Sequence, residues 1–74
     1  GFDLIVSDIE MPGLDGLALA AKALQALPRV RILLMSGYPS SLDKGKALAP
    51  SRIGTIAKPF TLDDMRRAIA AALG

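Results

Sequence analysis

The chain of 74 residues contains no cysteine, no histidine and no tryptophan. Without cysteine and histidine it cannot form disulfides, hold zinc through thiolate or imidazole ligands, or use histidine as a general base. Aromatic residues make up only 4% of the sequence, and the net charge is only +2. The basic residues are scattered and are not interleaved with aromatic residues, so the composition does not indicate nucleic-acid binding.

Long apolar runs are also missing. No stretch approaches the roughly 20 residues needed to span a bilayer, and the chain does not open on a charged segment with a following cleavage signal. Hydrophobic residues nevertheless make up 51% of the sequence, which argues against disorder. We expect a single soluble domain in the cytoplasm, without membrane contact. Its margin of stability is thin, because a domain of this size buries only about 60% of its unfolded-chain surface.

Three short apolar runs, each followed by one polar residue, are typical of buried parallel strands. They are residues 2–7 before Asp8, residues 30–35 before Ser36, and residues 53–57 before Lys58. A helical segment separates each run from the next. The strands should therefore lie parallel, with their carboxyl ends at one edge of the sheet. A carboxylate, a hydroxyl and an ammonium group would meet at that edge.

The segment after the first strand is predicted to be a loop followed by the first helix. Pro12 and Gly13 mark residues 8–15 as a loop, and Asp15 is suited to cap a helix that Pro28 ends. The apolar positions of this helix recur with helical spacing, which predicts one buried face. They are Leu17, Ala20, Ala21, Leu24 and Leu27.

Two more helices are predicted further along the chain. A short one runs from about Leu42 to Leu48 and is capped by one of the two serines just before it. The last begins after Thr61, and an aspartate three positions on completes an acidic variant of the capping box. On its outer face, Asp63 and Arg67 are spaced to pair at i, i+4. Its predicted inner face consists of Leu62, Met65, Ile69, Ala72 and Leu73.

The residue types at the three strand ends suit phosphoryl chemistry. A carboxylate such as that of Asp8 can attack phosphorus and hold the phosphoryl group as an acyl phosphate. The transfer needs positive charge near the phosphoryl oxygens, and usually Mg²⁺. Lys58 can supply the charge, and Ser36 can donate a hydrogen bond. Mg²⁺ prefers oxygen ligands, of which the Asp8 carboxylate and the Glu10 backbone carbonyl offer two.

Three motifs closely resemble those of the receiver domains of two-component response regulators. Residues 3–16 (DLIVSDIEMPGLDG) resemble the phosphoacceptor segment, and residues 58–60 (KPF) resemble the Lys-Pro-Phe signature. Residues 32–38 (ILLMSGY) resemble the hydroxyl segment, in a form common in receivers attached to hybrid sensor kinases. The resemblance covers essentially the whole chain. It implies a flavodoxin-like, doubly wound parallel α/β sheet, of which residues 1–74 supply the last three β/α units.

Carried over position by position, the resemblance implies a role for each strand-end group. Asp8 would be the phosphoacceptor, Ser36 the switch hydroxyl, and Lys58 the lysine that contacts the acceptor or its phosphate. Glu10 would offer its backbone carbonyl to Mg²⁺ beside the Asp8 carboxylate, while its side chain faces solvent. Pro59 would follow a cis peptide bond.

The resemblance also bears on switching and on partners. Thr55 stands where many receivers carry a Tyr or Phe that turns inward on activation. The hydroxyl–aromatic switch is therefore expected to be either weak here or to use different contacts, with Tyr38 as the candidate aromatic residue. The implied partner is a histidine kinase or a phosphotransfer domain. A homodimer through the last helix is a further expectation, and direct contact with nucleic acid is not expected. The implied role is signal transduction rather than enzymatic turnover.

By the same resemblance, this chain is one part of a receiver domain. The family begins with two β/α units ahead of the segment that starts at Gly1, and the first strand ends in an acidic pair that completes the Mg²⁺ site. Asp3 lies at the wrong end of its strand to replace that pair. We therefore expect an incomplete switch, with the strand at residues 2–7 exposed as an apolar edge that favours self-association.

Two other functions remain open at this stage. A haloacid-dehalogenase-like phosphatase also uses a strand-end aspartate, a later Ser or Thr and a lysine. It usually has an Asp general acid where this chain has Glu10, and its later acidic motif ends a strand, whereas Asp63 and Asp64 are predicted in a helix. The second alternative is a phosphorylation-independent docking or dimerisation module.

Overall fold

The computed structural model describes residues 3–74, so the predicted start of the first strand at Phe2 lies outside the described residues. Parallel strands alternate with helices, as the pattern of apolar runs predicts. The elements are β1 (Asp3–Asp8), β2 (Glu10–Met11), β3 (Leu14–Asp15), α1 (Gly16–Ala26), β4 (Val30–Ser36), α2 (Pro39–Leu48), β5 (Ile53–Ala57) and α3 (Leu62–Leu73).

The three long strands form one parallel sheet in the order β1-β4-β5. Asp8 pairs with Met35, and Ser36 pairs with Ala57, so the strands end level with one another. This arrangement confirms the predicted fold class, a doubly wound parallel α/β sheet with three helices. Among residues 3–74, β1 has a hydrogen-bonded neighbour on one side only.

The main core lies between the sheet and the two helices α1 and α2. Its buried residues are Ile9, Ala20, Val30, Ile32, Leu34 and Ile53. Leu17 and Leu24 of α1 and Leu42 of α2 pack against this cluster from above. The helical period of α1 is thus confirmed for most positions, but Leu27 is 45% exposed because it lies beyond the last helical residue.

Helix α3 covers the opposite face of the sheet. Leu33 lies between Ile32 and Leu34 in the sequence, and successive side chains of a strand point to opposite faces of the sheet. The Leu33 side chain is therefore on the α3 face, where it is fully buried. Ala72 of α3 lies beside Gly54 on that face. The predicted inner face of α3 is wrong at its two ends, because Leu62 and Leu73 are 67% and 44% exposed.

The helix caps were predicted with mixed success. Asp15 accepts hydrogen bonds from the backbone of α1 and is its N-cap, as predicted. Thr61 and Asp64 form the predicted capping box. The predicted start of α2 is wrong, because the helix begins at Pro39 rather than after Ser40 or Ser41, and Tyr38 is its N-cap without a side-chain hydrogen bond. Proline suits this first position because it has no N–H to leave unpaired.

Two further local predictions need correction. The ion pairs on α3 join Asp63 to Arg66 and Asp64 to Arg67, at i, i+3 rather than between Asp63 and Arg67. The predicted loop after β1 contains a small antiparallel hairpin of β2 and β3, with Gly13 at φ 73° in its turn. Among residues 3–74, no helix is long and apolar enough to cross a membrane.

Candidate functional site

The carboxyl edge of the parallel sheet brings the three polar strand-end residues together. Asp8 is the last residue of β1, Ser36 is the last residue of β4, and Lys58 directly follows β5. The Ile9 N–H donates to the Met35 carbonyl at 2.9 Å, and the Lys58 N–H donates to the Ser36 carbonyl at 2.9 Å. The backbone hydrogen bonds between neighbouring strands therefore continue one residue beyond the strands, and they fix the positions of the site residues relative to one another.

Asp8 and Lys58 form an ion pair across the sheet edge. The Lys58 Nζ atom donates to Asp8 Oδ2, and the Glu10 N–H donates to Asp8 Oδ1 at 3.1 Å. The Asp8 side chain is 25% exposed and that of Lys58 is 40% exposed, so both remain accessible to solvent. The hydrogen bond from Lys58 is the main reason that the pKa of Asp8 lies below its ordinary value; partial burial opposes the shift.

Ser36 is fully buried and is bonded on both sides. Its hydroxyl donates to Glu10 Oε1 at 2.7 Å, and the Tyr38 N–H donates to its Oγ at 3.0 Å. Glu10 as a residue is exposed, but its carboxylate is not simply directed to solvent as the sequence predicted. The Glu10 side chain therefore contacts the last residue of β4.

The remaining residues singled out from the sequence lie around this edge. The Lys58–Pro59 peptide bond is cis. Tyr38 caps α2 and its side chain is 63% exposed. Thr55 is half-buried within β5, two residues before that strand ends. Tyr38 therefore contacts the site through its backbone N–H, whereas Thr55 lies two residues away from the carboxyl end of its strand.

The side chains of residues 3–74 do not make a complete Mg²⁺ site. Among these residues, no group of three or more Asp, Glu, His or Cys side chains is close enough to hold a metal ion. Asp8 offers one carboxylate, and Lys58 already occupies one of its oxygens. Mg²⁺ needs nearly octahedral oxygen coordination. The Asp8 carboxylate and the Glu10 carbonyl, the two ligands predicted from the sequence, would be only a part of that shell.

The arrangement has the elements of a phosphoryl-acceptor site. It combines an accessible carboxylate, an ammonium group paired with it and a buried hydroxyl at the end of the adjacent strand. A phosphatase of this type would carry its later acidic motif at the end of a strand, and Asp63 and Asp64 are not in that position. Asp63 and Asp64 lie in the first turn of α3, where Asp64 accepts from the Thr61 N–H.

Two features of the site were missed from the sequence. One is the bond between the Ser36 hydroxyl and the Glu10 side chain. The other is Gly16, whose N–H donates to the Ile9 carbonyl at 3.0 Å and draws α1 against the loop after β1. The available signal for Glu10 in the sequence was its position two residues after the strand-end aspartate Asp8. That position does not show which group the Glu10 side chain contacts.

Comparisons with known proteins agree with this geometry. The family description that matches residues 1–70 is that of the response regulator receiver domain. The C4-dicarboxylate transport transcriptional regulatory protein DctD of Rhizobium meliloti (strain 1021) is 38% identical over 60 residues, covering 81% of this chain and 13% of that protein. The response regulator receiver protein CpdR of Brucella abortus (strain 2308) is 33% identical over 64 residues, covering 86% of this chain and 53% of that protein.

A solved structure shows the same fold. The signal receiver domain of an HD domain-containing protein from Pseudomonas fluorescens Pf-5 matches with a TM-score of 0.77 and 26% identity, covering 96% of this chain and 53% of that one. The chain thus spans about half the length of CpdR and of this solved domain. Receiver domains are signalling modules that generally bind Mg²⁺ at their phosphorylation site. On its sequence match, its parallel sheet and its strand-end residues, the chain belongs to the response regulator receiver domain family of two-component systems.

Proposed function

We propose that Asp8 accepts a phosphoryl group from the phosphohistidine of a histidine kinase or phosphotransfer domain. One observation carries this proposal. An accessible carboxylate is paired with the Lys58 ammonium group at the same sheet edge as the Ser36 hydroxyl. In the transfer, an Asp8 oxygen bonds to phosphorus as the P–N bond of the donor breaks. The released imidazole nitrogen keeps the electron pair and takes a proton from solvent.

The acceptor state would then change the contacts of the strand-end groups. Phosphorylation adds a charge of about −1.5 to −2 and three strong acceptor oxygens. Lys58 would shift from the carboxylate to the phosphoryl oxygens, and the Ser36 hydroxyl would turn toward them. Ser36 leads directly into Tyr38 and α2, so this movement would repack the surface formed by α2, β5 and α3. Such a change is a two-state switch biased by local electrostatics.

The extent of the domain belongs to the same proposal. We infer that residues 1–74 correspond to the third strand through the last helix of a receiver domain. The first two β/α units would then supply the acidic side chains that complete the Mg²⁺ shell begun by Asp8 and Glu10. The half-length match to the solved receiver domain supports this assignment. The cytoplasm is the proposed location, since phosphohistidine donors form there from ATP.

A docking or dimerisation module that works without phosphorylation is the second candidate. The incomplete Mg²⁺ shell of residues 3–74 favours it for the chain taken alone. Its candidate surfaces are the free edge of β1 and the exposed face of α3, which carries Leu62, Arg66 and Arg67. A homodimer through α3 would use the second of these surfaces.

Intact mass after incubation with acetyl phosphate and Mg²⁺ tests the proposal. In this assay the P–O bond of acetyl phosphate breaks and acetate leaves. The chain is compared with a version extended upstream through the two proposed β/α units. We expect the extended form to gain one phosphoryl group and Asp8→Asn to prevent the gain. Asp3→Asn, at the opposite end of β1, is the matched control and should leave it intact. A gain that survives Asp8→Asn would refute the assignment, and no gain in either form would favour the docking module.

A further inference from the structure

The Ser36 hydroxyl is already engaged in the unphosphorylated protein. A serine hydroxyl has one proton to donate. Here the acceptor is Glu10 Oε1 at 2.7 Å, while the Tyr38 carbonyl lies farther away at 3.4 Å. Ser36 is fully buried, so water does not compete for this proton. Glu10 therefore holds the one hydrogen-bond donor of the residue proposed to respond to the phosphoryl group.

Glu10 also lies immediately beside the acceptor carboxylate. Its N–H donates to Asp8 Oδ1 at 3.1 Å, so the backbone of Glu10 is fixed at the site while its side chain reaches Ser36. The hydrogen bond between the Ser36 hydroxyl and the Glu10 carboxylate thus favours the unphosphorylated state.

We propose that the Glu10 carboxylate is a latch, which holds the Ser36 hydroxyl at rest and must release it when Asp8 is phosphorylated. The inference rests on the proposed function, because the competing acceptor is a phosphoryl oxygen on Asp8. Glu10 is a positioning residue in this scheme: it acts through Ser36 and forms no bond to phosphorus. It sets how far the switch is populated at a given level of phosphoryl donor.

The test measures the ratio of phosphorylated to unphosphorylated protein at a fixed acetyl phosphate concentration. It uses the form of the protein, the 74-residue chain or the extended version, whose gain of a phosphoryl group is prevented by Asp8→Asn. Glu10→Ala should raise this ratio by roughly tenfold, the size expected for loss of one competing hydrogen bond to a charged group. Glu10→Gln should raise it less, because the amide oxygen still accepts but carries no charge. Asp3→Asn removes an equal charge away from the site and should leave the ratio unchanged.

A double-mutant cycle separates the latch from a simple charge effect. In a Ser36→Ala background, Glu10→Ala should raise the ratio far less than it does in the wild type, because no hydroxyl remains to be released. An undiminished rise in that background would overturn the latch. The Tyr38 amide resonance gives a second readout without any phosphoryl donor. Glu10→Ala should shift it in the wild type and leave it in place in the Ser36→Ala protein.

The failures of the two proposals can be told apart. If the wild type is phosphorylated on Asp8 and Glu10→Ala behaves like Asp3→Asn, the latch is wrong and the proposed function stands. If neither the wild type nor Glu10→Ala ever gains a phosphoryl group, the proposed function fails and the latch fails with it. If only Glu10→Ala is phosphorylated, both proposals are supported, since the latch would then hold the resting state strongly.

Discussion

Gly16 lies so close to Asp8 that a Cβ atom built on Gly16 would be 2.5 Å from the Asp8 carbonyl oxygen. The same atom would be 2.7 Å from the α-carbon of Ile9. Both neighbours are backbone, so they cannot rotate away as a side chain would. The first residue of α1 is thus packed directly on the chain that carries the Asp8 carboxylate.

Replacing Gly16 with alanine should therefore destabilise the fold and displace the backbone at Asp8 and Ile9. We expect a loss of about 1–3 kcal/mol in the free energy of unfolding, as for overpacking elsewhere in protein cores. Urea denaturation measures it. Gly37→Ala is the matched control, because a Cβ at Gly37 meets no described atom within 4 Å. Equal losses for the two variants would contradict the close packing at Gly16.

The ion pair at the sheet edge predicts an acid-shifted titration. The pKa of Asp8 lies below 3.8, chiefly because Lys58 donates a hydrogen bond to its carboxylate, and the Glu10 N–H adds to the shift. A carboxyl group with a lowered folded-state pKa stabilises the fold above its unfolded pKa and loses that contribution as the pH falls through the folded value. Carbon-13 NMR of the Asp8 carboxyl group measures the titration directly.

Lys58→Met should move the pKa of Asp8 upward, because it removes the charged donor and keeps the apolar part of the side chain. Lys22→Met, at an exposed position of α1, should leave the Asp8 titration where it is. The acid sensitivity contributed by Asp8 should also decrease in Lys58→Met. An Asp8 pKa that does not respond to Lys58→Met would show that the ion pair is not formed in solution.

The capping box of α3 predicts that removal of the Thr61 side chain lowers the free energy of unfolding. Thr61 Oγ1 accepts from the Asp64 N–H at 3.1 Å, and Asp64 Oδ2 accepts from the Thr61 N–H at 3.0 Å. Thr61→Ala should cost about 1 kcal/mol of unfolding free energy, the usual value for a lost N-cap. Thermal unfolding followed by circular dichroism measures it. Ser51→Ala, in an exposed turn, is the control and should change stability by much less.

The free edge of β1 predicts self-association of the 74-residue chain. Residues 3–74 provide no strand beyond β1, and Val6 on that strand is 42% exposed. Unpaired N–H and C=O groups on an apolar edge strand favour pairing with another chain. Light scattering during size-exclusion chromatography should show mass that increases with concentration. Val6→Lys should reduce it, since lysine on an edge strand opposes pairing.

Leu19→Lys provides the contrasting variant for the same experiment. Leu19 is 49% exposed and belongs to α1 rather than to β1. If Leu19→Lys reduces self-association and Val6→Lys does not, the α1 surface is the contact and the edge-strand prediction is wrong. A monodisperse monomer at all concentrations would contradict the prediction for either surface.

The sequence predicted those features that depend on local patterns. The three strands were found because each apolar run has a polar residue at its end, and the caps at Asp15 and Thr61 were found because capping involves residues only two or three positions apart. The strand-end site follows from topology alone, since parallel strands must end at the same edge. The residues of the site could therefore be named before their distances were known.

What the sequence did not predict depends on contacts between distant segments or on choices among equivalent partners. Leu62 fits the helical period, but the period does not show whether anything covers its side. Arg67 can reach Asp63 or Asp64, and side-chain rotamers decide between them. The bond from Ser36 to Glu10 joins two residues 26 positions apart and requires the register of β1 and β4 to be known.

That register determines where the chain can vary in length. Asp8 pairs with Met35, and Ser36 pairs with Ala57, and the residues of these strands pair one to one along the register. One residue inserted within β4 would turn every later side chain to the other face, and the Ser36 hydroxyl would leave Glu10. An insertion in the turn at Pro50 and Ser51 would leave the register unchanged. Variants of this sequence can therefore gain or lose residues between the strands, whereas a single deletion inside a strand would separate Asp8 from Ser36 and Lys58.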